Sequence, residues 1–185
     1  MAEKQAIYYE LLVLRCSRDQ KDAPEGLVRG WERPLFYYIR RLVKGEQEAW
    51  VVLQETWIKV LRSIRRLREP RKLPAWLYSI ARQTALSHLR VRYSEQSLFE
   101  SNGNISTIED SSRELAFDNA ERVHYGLDRI SLAHRDVLTL FFLQDLSLED
   151  IAQVLHVPIG TVKSRLYYAK RALRDVLEKE AGSYE

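Results

Sequence analysis

Apolar positions recur at helical spacing along most of this chain. Ile7, Leu11, Leu12 and Leu14 predict a short amphipathic helix over about residues 5–17, which Asp22-Ala-Pro24 breaks. Leu27, Val28, Trp31, Leu35, Ile39, Leu42 and Val43 predict a second helix from about Glu25 to Val43, ended by Lys44-Gly45. A third begins near Glu46 and continues to about Leu67. Its apolar residues occupy more than one face. Ala49, Leu53, Trp57, Val60, Ile64 and Leu67 form one stripe, while Trp50, Val51 and Ile58 lie partly off it. A second stripe needs a cover, either another helix of the same domain or a partner protein.

The basic turn Arg65-Arg-Leu-Arg-Glu-Pro-Arg-Lys72 follows, and then a fourth helix over Leu73 to Arg92. Leu73, Leu77, Ile80, Thr84 and His88 share one face of it, with Trp76, Ala81 and Leu89 alongside. Residues 93–112 are rich in Ser, Asn and acidic side chains, lack sustained periodicity and read as a flexible acidic linker. Around twenty residues could stretch to roughly 65 Å, enough to let the flanking modules occupy separate surfaces. A last block begins near Arg113, and His134 to Leu143 within it carries an apolar face. The expected fold is all-α, with two small helical domains, 1–92 and 113–185, joined by the linker.

The C-terminal block ends in two helices and a tight turn. Ser147 is an N-cap, and Asp150 three residues later completes a capping-box-like pair. Leu148, Ile151, Ala152 and Leu155 form one face before His156-Val157-Pro158 interrupts the pattern. Proline, lacking an N–H and fixed in φ, suits the start of a new helix. In that helix Val162, Leu166, Ala169, Leu173 and Val176 point inward, leaving Ser164, Tyr167, Tyr168 and Arg171 opposite, flanked by Lys163, Arg165 and Lys170. Between Gly160 and Arg174 there are five basic residues and no acidic one. A solvated basic helix would explain the charges alone. A helix-turn-helix explains the capped first helix and the short turn as well, with cations for phosphates and short polar or planar side chains for base edges.

Charge sharpens the layout. The net charge of +3 hides fifteen Lys or Arg against five Glu between Arg29 and Arg92, then eight acidic residues against three basic ones from Tyr93 to Ser131. The arrangement to explain is a basic stretch, an acidic one, and then the basic tip of the last helix. Basic residues interleaved with Trp76 and Tyr78 resemble surfaces that stack unpaired bases, although Trp76 also fits a core position. The single Cys16 excludes an internal disulfide and a Cys-rich zinc site, and it reads as a small apolar helix residue. No apolar run approaches the ~18 residues of a membrane span, and Met1-Ala-Glu-Lys does not open a signal peptide. A cytoplasmic chain without membrane insertion is expected.

Two separated segments match one family in the same order. Leu53-Gln-Glu-Thr-Trp-Ile-Lys-Val, the basic turn and Trp76-Leu-Tyr-Ser-Ile-Ala-Arg resemble the second conserved region of bacterial sigma factors. Ser147 to Leu173, with Gly160-Thr-Val-Lys-Ser-Arg-Leu, is similar to the fourth. The missing middle and small size resemble the extracytoplasmic-function group of the sigma-70 family. The resemblance implies a promoter-recognition subunit whose partners are core RNA polymerase and promoter DNA, duplex at the −35 element and single-stranded at the −10 element. It also implies an anti-sigma factor as a further partner, and no cofactor.

By position, the resemblance puts polymerase docking on Trp50, Val51, Gln54, Glu55 and Ile58, and −10 capture on Arg68, Arg71, Lys72, Tyr78, Arg82 and Gln83. It puts −35 reading on Lys163, Ser164, Tyr167 and Tyr168, with Thr161 at the helix start and Arg165 and Arg171 on phosphates. The chain departs from the family pattern in having Trp50 and Val51 where acidic residues usually precede the Gln-Glu pair, and Gln83 where Asn is frequent.

Two rival readings fit less of the chain. A stand-alone regulator of the response-regulator type needs an α/β N-terminal domain with a phospho-acceptor aspartate, and residues 1–92 show no strand-like alternation. An enzyme needs a reacting group. There is no Gly-rich phosphate loop, no His-Glu-x-x-His and no nucleophile motif, and His88, His124, His134 and His156 are scattered.

Overall fold

Helices α1 (Ala2–Ser17), α2 (Ala23–Leu42), α3 (Glu46–Ser63) and α4 (Leu73–Glu100) form an N-terminal set. Helices α5 (Asn119–Arg129), α6 (Leu132–Leu138), α7 (Leu148–Leu155) and α8 (Ile159–Ala181) form a C-terminal one. The computed structural model describes residues 2–18, 22–43, 45–100 and 119–181, and they contain no β-strand. The all-α expectation and the two helical sets hold.

Three boundaries move, each for a local reason. Pro24 does not precede α2 but stands in its first turn, where a missing N–H costs nothing. The third helix stops at Ser63 rather than Leu67. Ser63 Oγ donates back to the Lys59 carbonyl at 2.5 Å, and Ile64–Arg66 tighten into a 3-10 turn before Leu67 turns extended. The fourth helix runs on to Glu100, eight residues past Arg92, so the stretch 93–112 begins as helix rather than linker. Glu, Gln and Leu favour the helix there, and no Gly or Pro intervenes before Gly103. The rest of that stretch lies outside the described residues.

In the N-terminal set Leu27, Leu35, Ile39, Leu53, Leu73 and Leu77 are fully enclosed, together with Tyr38 and Tyr78, whose rings meet edge-on at 5.2 Å. Cys16 is buried among them, as its apolar reading requires. The C-terminal core is built on Leu127, Leu140, Ile151 and Val162. Gly126 lets α5 approach α8 closely, since a Cβ there would lie 2.6 Å from Leu173 Cδ1. After α6 the chain widens into a π turn, Thr139–Leu143, marked by Gln144 N–H donating to the Thr139 carbonyl at 3.1 Å.

The two sets do not stand apart. α4 packs on α7, and α2 packs on α6. The two modules share a seam instead of occupying the separate surfaces that an extended linker would permit.

Candidate nucleic-acid interface

The C-terminal helix pair is built as its sequence demands. Ser147 Oγ accepts the Asp150 N–H at 3.1 Å and donates to Asp150 Oδ2 at 2.7 Å, so the capping pair closes α7 at its start. At the other end His156 adopts the left-handed conformation, φ 54° and ψ 47°. The Val157 and His156 N–H groups then reach back to the Ala152 and Gln153 carbonyls, which ends the helix in a Schellman turn. Pro158 lies just ahead of α8, and its carbonyl accepts the Thr161 N–H at 2.9 Å.

That turn sets α8 with Val162, Leu166 and Ala169 inward and Lys163, Ser164, Tyr167, Tyr168 and Arg171 exposed. The Tyr167 and Tyr168 rings stand edge to face at 5.3 Å, and Ser164 Oγ donates to the Thr161 carbonyl at 3.0 Å. Thr161 and Arg165 are half-buried at the margin of this face. The face combines cations, two phenols and a hydroxyl, groups whose chemistry can pair with phosphates and base edges.

The −10 candidates divide into two groups. Arg68, Arg71, Lys72 and Gln83 are exposed. Arg71 Nε donates to Glu10 Oε1 at 2.7 Å and Lys72 Nζ lies 3.0 Å from Glu69 Oε2, exposed pairs that a phosphate can displace. Helix α1 packs on this turn, a contact the sequence did not announce. Tyr78 and Arg82 are placed otherwise. Tyr78 is 2% exposed, with its hydroxyl donating to Gln144 Oε1. Arg82 Nε donates to Asp136 Oδ2 at 2.7 Å. Both lie under the C-terminal set, so the surface expected of them is covered in this conformation.

Asp136 is the residue that reasoning from periodicity missed. It is 2% exposed and takes a second donor, the Tyr38 hydroxyl, at 2.7 Å on Oδ1. Burial pushes its carboxyl above the ordinary 3.8, against the lowering pull of Arg82, its hydrogen bonds and Arg165. Burial likewise raises the Tyr38 and Tyr78 phenols, so both stay protonated donors. Beside them Arg135 donates to the carbonyls of Arg41 at 3.1 Å and Asp128 at 2.8 Å. The available signal was an acid directly ahead of the apolar run Val137-Leu-Thr-Leu-Phe-Phe-Leu143, a run that a solvated helix would not need.

On α3 the second stripe is open. Val51 and Ile58 are 46% and 50% exposed, with Gln54 and Glu55 between them on the same face. Trp50 is held at its edge by the Phe36 ring, 4.3 Å between centroids. Of the two covers considered for this stripe, no other helix among the described residues supplies one.

Among the described residues no helix is long and apolar enough to cross a membrane. The chain matches the family described as Sigma-70 region 2 over residues 27–94 and Sigma-70, region 4 over residues 126–175. It is 34% identical to the RNA polymerase sigma-H factor of Pseudomonas aeruginosa over 90% of this chain and 92% of that one. It is 29% identical to the ECF RNA polymerase sigma-E factor of Haemophilus influenzae over 91% and 95%. Its fold matches that of the sigma factor RpoE of Bartonella quintana, solved with the anti-sigma factor NepR, with a TM-score of 0.70 at 21% identity over 83% of this chain and 96% of that one. The capped helix-turn-helix, the basic turn and these matches agree: the chain belongs to the sigma-70 family of RNA polymerase sigma factors, in its extracytoplasmic-function group.

Proposed function

We propose that three surfaces of this sigma factor divide promoter recognition among them. The open face of α3, Val51, Gln54, Glu55 and Ile58 edged by Trp50, docks on core polymerase. The exposed face of α8, Lys163, Ser164, Tyr167 and Tyr168 with Thr161, Arg165 and Arg171, reads the −35 duplex. The turn and α4, through Arg68, Arg71, Lys72, Tyr78, Arg82 and Gln83, capture the −10 strand as it opens. On this reading residues 1–92 are the polymerase-binding and −10 domain, 93–112 the connecting stretch, and 113–185 the −35 domain. An anti-sigma factor would be a further partner, one that competes for the same surfaces.

The observation that carries the reading is the exposed aliphatic stripe on α3. Apolar side chains half open to water at helical spacing mark a docking face rather than a core. Run-off transcription with purified core polymerase on a pool of random promoters tests the whole reading. Enrichment of a two-part promoter sequence is the expected result, and transcripts without sequence enrichment would overturn it.

A further inference from the structure

Helices α5 and α8 and the π turn enclose an apolar hollow that none of the three proposed surfaces uses. Its volume is about 500 Å³, within the roughly 300–1,000 Å³ typical of small-ligand sites. Leu127 of α5 and Leu138 of α6 form its floor and are 2% and 3% exposed. Val123, Phe142 and Leu143 form an exposed lip. One end is shut where α5 meets α8. Gly126 leaves room there for Leu173 and Leu177, whose methyl groups stand 2.6 and 3.0 Å from where a Cβ would lie.

The charged residues of the lining are Arg122 on α5 and Lys170, Arg174 and Glu178 on α8. The three on α8 are exposed and Arg122 is half-buried, so charge collects at the rim and not on the floor. Among the described residues none of the three cations is held in a hydrogen bond or ion pair. Three cations against one acid leave a positive mouth over an apolar interior.

That combination selects a ligand by its chemistry. Apolar walls take a hydrocarbon chain, and a cationic rim takes an anionic head that stays at the water boundary. A neutral chain would leave the rim charges unused. A protein helix would need an open groove for anchors at i, i+3, i+4 and i+7, whereas Leu173 and Leu177 close this hollow at one end. We propose that the hollow binds a fatty acid, its chain against Leu127, Leu138 and Phe142 and its carboxylate at Arg122 and Arg174. The bound chain adds apolar contact between α5, the π turn and the C-terminal half of α8, and so stabilises the C-terminal set. The inference stands apart from the −35 reading, which concerns the other half of α8.

Calorimetric titration and thermal melts of the full chain with straight-chain carboxylates test it. Decanoate should bind at one site per chain and raise the melting temperature. Each two-carbon step from hexanoate through octanoate to decanoate should tighten binding roughly tenfold, the factor expected from burying two methylenes. Decanol should bind about fivefold more weakly than decanoate, since it forgoes the exposed rim charges, and decyltrimethylammonium more weakly still. Arg122→Gln with Arg174→Gln should erase the advantage of the acid and leave decanol binding unchanged. Val123→Asp and Leu143→Asp, at positions 36% and 39% exposed, should each weaken decanoate binding with helical content unchanged by circular dichroism. Absence of binding by the whole series, equal binding of acid, alcohol and ammonium, or affinities unmoved by both aspartate variants would overturn the proposal. So would protection of Val123→Cys from alkylation by core polymerase but not by decanoate, which would assign the hollow to a protein.

Discussion

The Tyr38 hydroxyl donates to Asp136 across 98 residues of sequence, at 2.7 Å and out of contact with water. Neither helical set satisfies these two groups alone, so each depends on the other for its hydrogen bonding. Removing either partner should destabilise the chain by about 1–3 kcal/mol. The double variant Tyr38→Phe with Asp136→Asn should lose less than the sum of the single losses, with a coupling on the order of 1 kcal/mol. Urea unfolding of the four proteins measures this, and additive losses would show that the two groups do not interact.

His124 makes the same seam sensitive to acid. Its ring lies 3.1 Å from the Tyr37 hydroxyl, and burial and Arg41 lower its pKa from 6.5 despite the opposing pull of Asp128. A histidine lowered in the folded state binds protons more weakly there than when unfolded. Its contribution is therefore complete above 6.5 and is lost as the pH falls through the lowered value. The wild type should lose stability as the pH falls below 6.5 and through the lowered value, and His124→Gln should lose less. Denaturation midpoints across that range provide the comparison.

Polymerase docking should fail when charge enters the open stripe of α3. Val51→Asp with Ile58→Asp, both at positions about half exposed, should leave the free chain helical and abolish co-purification with core polymerase. Survival of the complex would place the docking face elsewhere.

The two proposed DNA surfaces should fail in different ways. Lys163→Ala or Tyr168→Ala should alter the preferred −35 sequence, by about 1–3 kcal/mol where a base contact is lost. Arg71→Ala with Lys72→Ala should leave closed-duplex binding intact and impair strand opening. Permanganate footprinting beside a duplex-binding assay separates the steps. A double variant that opens promoters normally but no longer binds closed duplex would reverse the assignment.

Ser147 offers a local check on the helix-turn-helix. Its hydroxyl satisfies the Asp150 N–H at the start of α7, and Ser147→Ala should cost about 1 kcal/mol of stability. Thermal melts measure the loss, and an unchanged melting temperature would mean the cap contributes nothing.

Local chemistry made much of this legible in the sequence. The Ser147 cap, the Pro158 helix start and the outward Tyr167–Tyr168 face follow from patterns within a few residues, and the structure places them as those patterns require. The second stripe of α3 was visible for the same reason. The seam was not. Tyr78 and Arg82 carry the same signature whether they face DNA or another helix, because periodicity assigns a side chain to a face and does not say what covers it. Their partners Asp136 and Gln144 lie 54 and 66 residues away. The end of α4 was hidden differently: polar, acidic residues suit a helix and a linker equally, and only the absence of a breaker before Gly103 argued for helix.

The π turn at Thr139–Leu143 has a consequence for chain length. Such a turn is an α-helix carrying one residue too many, so everything after it is rotated by about 100° relative to an unbroken helix. Here it presents Phe142 and Leu143 to an apolar hollow of about 500 Å³ that Val123, Leu127 and Leu177 also line. Deleting a single residue from this turn, with every other side chain kept, would restore regular winding and swing the lip of the hollow away. The hollow therefore depends on the number of residues between α6 and Ser147 as well as on their apolar side chains.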